Sequence, residues 1–122
     1  MRYTRVYTDE HGESHFEDVE VPTTLEPSSF SAGAWLISEL YPVTGILFRR
    51  VTQEHGNEPH TAPRQQFIVH LAGEAEIETS DGERRRFGPG SVLLVEDTTG
   101  KGHTTRRVGD TIRDTLFLPL AE

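Results

Sequence analysis

Residues 58–77 read EPHTAPRQQFIVHLAGEAEI, and four side chains suited to chemistry fall at even positions: His60, Arg64, Gln66 and His70. In an extended chain, even positions share one face. That face then carries two imidazoles, a guanidinium and a carboxamide, with Pro63, Phe67, Val69 and Leu71 on the other. The set suits proton transfer and the binding of an oxyanion. Imidazole titrates near neutrality and passes a proton either way. Guanidinium offers a rigid fork of donors to a carboxylate or enolate oxygen, and a carboxamide both donates and accepts. Ile68 sits amid the polar set. Both faces are therefore predicted to be covered, the even one by a cavity and the odd one by packing or a partner subunit.

The elements that must position this strand are short. The chain has 122 residues, enough for one domain with a core, and no repeat or long linker divides it. RYTRVYT and HFEDVEV alternate like strands around the turn DEHGES, and PTTLEPSSFSAG reads as an irregular connection. AWLISELY is apolar enough for a buried strand or a short helix, and GILFRRVTQ alternates weakly. Asp81-Gly82 predicts a two-residue hairpin turn, and Gly88-Pro89-Gly90 a second tight turn. SVLLVE follows as a strand buried on both faces, and TIRDTLFLPL closes the chain as another strand. Many short strands without an amphipathic helix predict an all-β sandwich or barrel.

Composition excludes several classes. Twelve Lys and Arg against 20 Asp and Glu give a formal charge of −8, which disfavours nucleic acid and anionic membrane surfaces as partners. The basic clusters Arg84–Arg86 and Arg106–Arg107 read as solvated or locally paired. The absence of cysteine removes disulfides, thiolate metal sites and cysteine nucleophiles. No apolar run approaches the ~20 residues of a membrane span, and MRYTRVYTDEHGESH lacks a signal-peptide core, so the expected compartment is the cytoplasm.

From residue 45 to 120 the chain resembles a small single-domain cupin. The family's first motif runs G-x5-H-x-H-x3–4-E-x6-G. Here Gln66 and Gly73 match its end, and QFIVHLAG stands where the glutamate strand would be. GERRRFGPGSVLLVEDTTGKGH resembles the second motif: Gly82, Gly88-Pro89-Gly90, a strand and a late histidine, His103. There are departures. The paired histidines fall on His60 and Ala62, the glutamate is Gln66, Arg107 replaces an asparagine, and the turn before His103 is longer. The resemblance implies a jelly-roll barrel of two packed antiparallel sheets, open at one end. The expected organisation is one cupin domain over residues 1–122, with N-terminal strands or an arm in 1–30 and the barrel in 45–120.

The resemblance also turns the inward positions of that strand into candidates. His60, His103 and Arg64 are the expected catalytic groups, the imidazoles moving protons and Arg64 holding an oxyanion. Gln66, His70, Trp35 and Glu96 are expected to contact substrate, with Trp35 and Tyr41 as pocket wall. Glu96 or Asp97 would be a base or the partner that orients His103; both also fit turn chemistry. A family metal site uses three histidines and a carboxylate. Here the implied set is His60, His103 and a weak oxygen from Gln66, with His70 deeper as a third imidazole or a core histidine. Such a set would hold a divalent Fe, Zn, Ni or Mn ion. His11 and His15 are expected at the surface and His55 at the cavity rim.

The reading is thus a small-molecule-binding cupin. It would be an enzyme acting on a small polar metabolite or polyketide-like intermediate, as an oxygenase, isomerase, dehydratase or cyclase. The alternative is a non-catalytic binding protein. A homodimer through Phe67, Val69 and Leu71 is expected.

Overall fold

The computed structural model describes residues 1–27, 33–53, 58–110 and 112–121. Its regular structure is all β, in eleven strands. These are β1 (Arg2–Thr8), β2 (Ser14–Glu20), β3 (Thr24–Pro27), β4 (Ala34–Ile37), β5 (Leu47–Val51), β6 (Gln66–Ala72), β7 (Ala75–Thr79), β8 (Arg84–Phe87), β9 (Val92–Val95), β10 (His103–Arg107) and β11 (Arg113–Pro119). No helix among the described residues is long and apolar enough to cross a membrane.

Six strands form one sheet in the order β2-β1-β9-β6-β11-β5, and three form a second in the order β10-β7-β8. Neighbours are antiparallel except β1 and β9, which run parallel with Val6 opposite Val95. The N-terminal hairpin is therefore part of the main sheet. Period-two alternation decides what faces the second sheet. Val6, Phe16, Ile77, Phe87, Leu93 and Val95 form the apolar core with Ala62, and Ile68 packs against them. Each of the larger of these side chains contributes about 1.5–3 kcal/mol by leaving water.

Turn chemistry sets the strand ends. Asp81-Gly82 does not form the expected two-residue turn. Only Gly82 has a positive φ (94°), and the Gly82 amide donates to the Thr79 carbonyl at 3.0 Å. The loop is a three-residue one with glycine in the left-handed position. Asp81 keeps an ordinary backbone and uses its carboxylate instead, accepting from the Thr79 hydroxyl and the Glu83 amide. Gly88-Pro89-Gly90 is the tight turn expected, closed by the Ser91 amide on the Gly88 carbonyl.

One expectation about an apolar segment needs correction. AWLISELY contributes strand β4, but all four of its residues are exposed, as are all four of its partner β3. The segment is apolar without being buried. On the odd face of β6, Phe67 is covered from within the chain: Tyr3 meets it edge-on at 5.4 Å and Tyr41 lies at 5.9 Å. Leu71 remains exposed.

The turn end of the β1–β2 hairpin is fastened to the second sheet. The Ser14 amide donates to the Ser80 hydroxyl and the Ser80 amide to the Ser14 hydroxyl, at 2.7 and 2.8 Å. His15, expected at the surface, is instead half-buried between two carboxylates. Its Nε2 is 2.6 Å from Asp9 and its Nδ1 2.9 Å from Asp81. Only the imidazolium donates from both nitrogens.

The hydrogen bond to Asp9, aided by Asp81, raises the His15 pKa, and Asp9 falls to about 2 chiefly through its bond to His15. A raised histidine stabilises the fold below its ordinary value of about 6.5 and loses that effect as pH climbs through the raised pKa. A depressed aspartate stabilises above its ordinary ~3.9 and loses that effect as pH falls toward its folded value. The clamp is therefore strongest between about pH 4 and 6.5. The difference in Tm between the natural chain and His15→Gln is expected to be widest in that window and to shrink at about pH 9. An equal difference at both pH values would contradict the bridged imidazolium.

Candidate functional site

Between the two sheets lies a cavity of about 670 Å³, the size of a small-molecule site. Its floor is the core itself: Ala62, Ile68, Ile77, Leu93 and Val95 line it. Its polar groups come from four strands, from residues 58–60 and from Gln53 just past β5. β6 supplies Gln66 and His70, β10 supplies His103 and Thr105, β5 supplies Arg49, β11 supplies Arg113, and residues 58–60 supply Glu58 and His60.

His103 is the best-defined of these groups. Its side chain is 7% exposed, and its Nδ1 lies 2.5 Å from Oδ2 of Asp97, which is 0% exposed. A carboxylate there makes Nδ1 the protonated ring nitrogen and leaves Nε2 for the cavity. Asp97 is thus the orienting partner among the two carboxylates considered. Glu96 points the other way, because β9 turns Leu93 and Val95 inward and the intervening positions outward. Its carboxylate takes a 2.8 Å bond from Arg5, so it does not reach the cavity.

The loop between Asp97 and His103 is pinned from two sides. On one side, Thr8 donates its hydroxyl to the Thr99 carbonyl, the Lys101 amide donates to the Gly12 carbonyl, and Lys101 pairs with Glu13 at 2.7 Å. On the other, the Ala62 amide donates to the Asp97 carbonyl. His60 and His103 also exchange both backbone hydrogen bonds at 2.9 Å. This bridge brings the two imidazole rings to 4.7 Å, with His103 inside and His60 exposed at the lip.

Gly102 makes this approach feasible. A Cβ there would lie 2.2 Å from the His60 carbonyl oxygen and 2.5 Å from its carbon, and the residue has φ +72°.

Gln66 and His70 point into the cavity as expected. Gln66 is buried, and its Oε1 has no hydrogen-bond partner among the described residues. His70 is buried with its ring stacked on Phe87 at 6.1 Å. Burial pushes its pKa down, and the charge of Arg113 adds to that, so it is a neutral core imidazole at neutral pH.

Arg64 and Trp35 are not at this cavity. The chain bends at Pro63–Arg64 and becomes a strand only at Gln66. The even-position rule therefore carries from Gln66 to His70 but breaks between Ala62 and Gln66. Arg64 is exposed and lines a smaller adjoining pocket with Leu47, Phe48 and Phe117. Trp35 lies on the exposed β4. His11 is exposed as expected, and His55 lies outside the described residues.

The cavity's guanidiniums are Arg49 and Arg113, which the sequence reading missed. Inward parity on β11 follows from Phe117, and on β5 from its pairing, which sets Arg49 opposite Thr115. Arg49 lies over the Phe117 ring at 5.2 Å. Among the described residues, two guanidiniums, Arg49 and Arg113, and one carboxylate, Glu58, line the cavity.

His60 and His103 would be the first two ligands of a metal ion, with Asp97 behind His103 as the supporting carboxylate. The set stops there. Ala62 occupies the next inward position, and no group of three His, Cys, Asp or Glu among the described residues is arranged to hold an ion. Gln66 adds only a neutral oxygen. Among the described residues, the donors at the cavity are thus two imidazoles and a neutral carboxamide oxygen.

No protein-family model matches this chain, and no curated protein matches it in sequence.

Gly102→Ala is expected to cost about 3 kcal/mol, from left-handed strain plus collision with the His60 backbone. Urea denaturation measures this. An unchanged midpoint would contradict the close passage of the two segments.

Proposed function

We propose that this chain is a cupin-type domain that binds a small organic anion between its sheets and acts on it by proton transfer at His103. The observation that carries this reading is a deeply buried imidazole held through Nδ1 by a fully buried carboxylate, beside a cavity that Arg49 also lines. A histidine fixed in one tautomer, with its free nitrogen facing a pocket, is the arrangement a general base needs.

The roles follow from position. Arg49 pairs with a carboxylate oxygen of the ligand at the mouth. Gln66 orients a second polar group through its unpartnered carbonyl. His103 Nε2 removes a proton from carbon next to a carbonyl and returns it elsewhere, and His60 exchanges that proton with solvent. Isomerisation, elimination and cyclisation share this step. The substrate would be a small polar metabolite or polyketide-like acid in the cytoplasm, and neither nucleic acid nor membrane is a partner on this reading.

Two rivals have their own support. A His-ligated metal enzyme is favoured by the 4.7 Å approach of two imidazoles, one of them carboxylate-supported. A binding protein without catalysis is favoured by the low number of reactive groups in the cavity.

Incubating the protein with small 2-oxo and 3-oxo acids in D2O separates the three readings. Proton transfer predicts deuterium entering the activated carbon, with His103→Gln slowing exchange by about 10²–10⁴-fold. Arg49→Gln should weaken acid binding while leaving exchange from the bound state nearly unchanged. Binding without exchange would favour the non-catalytic reading. About one equivalent of bound divalent metal, lost in His60→Ala, would favour the metal enzyme.

A further inference from the structure

Basic side chains in this chain generally find a carboxylate. Arg5 meets Glu17 and Glu96, Arg50 meets Asp114, Arg85 meets Asp18 and Glu83, and Lys101 meets Glu13. Carboxylates are in excess, with 20 Asp and Glu against 12 Lys and Arg. Arg49 and Arg64 nonetheless have no carboxylate within ion-pair reach among the described residues. Both line the same small pocket, of about 320 Å³.

A strand edge and a bend bring them together. On β5, Leu47 and Arg49 share the cavity side, Leu47 opposite Phe117 and Arg49 opposite Thr115. Arg64 comes from the chain before β6, where the bend at Pro63 frees it from strand parity. The remaining walls are Leu47, Phe48, Pro63 and Phe117, with Gln66 as the other polar side chain. Arg49, Pro63, Gln66 and Phe117 line the main cavity as well, so one ligand can reach both spaces.

We propose, resting on the reading of the main cavity as an organic-anion site, that the small pocket holds a second carboxylate of the same ligand. The substrate class is then a dicarboxylic acid with an apolar spacer. Arg49 takes the carboxylate next to the reacting carbonyl, and Arg64 takes the distal one. Arg64 thereby sets specificity without touching the reacting atoms.

Charge, surface and donor number each favour this occupant. Two guanidiniums on one pocket repel each other; a dianion neutralises both, whereas a monoanion leaves one unmatched. Methylenes or an arene suit walls of leucine, phenylalanine and proline. A hydroxylated spacer would give up its water with only Gln66 to replace it. A phosphate draws on many donors at once, commonly backbone amides at a helix N-terminus or in a nest. Side-chain donors here come from Arg49, Arg64 and Gln66 alone, which suits carboxylates, one to each guanidinium. The volume is at the small end of ligand sites and holds the end of a short chain.

Titration of a matched pair of acids at low salt tests the assignment. 2-Oxoadipate and 2-oxohexanoate differ only at the distal carboxylate. The diacid should bind the natural chain about tenfold more tightly, and added salt should shrink that advantage. Arg64→Gln should abolish the advantage, and Arg64→Lys, which keeps the charge, should retain part of it. Arg64 is exposed, so both variants should keep the fold of the natural chain. Equal binding of the two acids, or a diacid preference that survives Arg64→Gln, would overturn the second-carboxylate site and leave the anion cavity standing. Binding of neither acid would overturn both. Glutarate should displace the bound diacid better than its trihydroxy analogue xylarate; the reverse order would overturn the apolar spacer. Displacement by inorganic phosphate at concentrations where glutarate fails would assign the pocket to phosphate and contradict the proposal.

Discussion

The contact between Asp97 and His103 is the constraint around which the rest of the molecule is arranged. A carboxylate with no exposure is costly to hold away from water unless its partner is fixed. Here the partner is fixed by position, because His103 opens β10 and its backbone is paired with His60. Loop 97–103 must therefore keep one shape. The Thr8, Gly12 and Ser14 contacts from the first hairpin, and the Ala62 amide from the other side, hold it there. Removing Asp97 alone would leave an imidazole free to turn in its pocket. Removing His103 alone would leave a buried charge without its donor.

This arrangement explains why the N-terminal hairpin matters to a cavity it does not line. β1 joins the main sheet in parallel beside β9, and its turn reaches across to Ser80, Asp81 and the loop that carries His103. The same hairpin supplies Val6 and Phe16 to the core beneath the cavity. Stability and site geometry thus share residues. The clamp around His15 is half-buried, whereas the Asp97–His103 contact is buried.

Much of the architecture was legible from residue order. Gly-Pro turns, alternating strands and the absence of an amphipathic helix pointed to packed sheets, and parity along β6 correctly placed Gln66 and His70 inside. The same parity misplaced Arg64, because it was carried through Pro63 into a stretch that is not extended. The inward arginines were missed for a different reason: Arg49 and Arg113 lie on strands whose alternation is weak, and only the pairing of β5 with β11 reveals which way they point. AWLISELY misled because apolar content was equated with burial. Hydrophobicity states that a surface should be covered, and it does not state that the same chain covers it. His15 was hidden as well, since its two carboxylates are Asp9 and the distant Asp81.

The central claim is that Asp97 holds His103 in one tautomer with Nε2 turned to the cavity, and nitrogen-15 NMR of the histidine side chains tests it most directly. A slowly exchanging, strongly downfield proton on His103 Nδ1 that disappears in Asp97→Asn is the expected result. A His103 ring protonated on Nε2 instead, or a spectrum unaffected by Asp97→Asn, would contradict it.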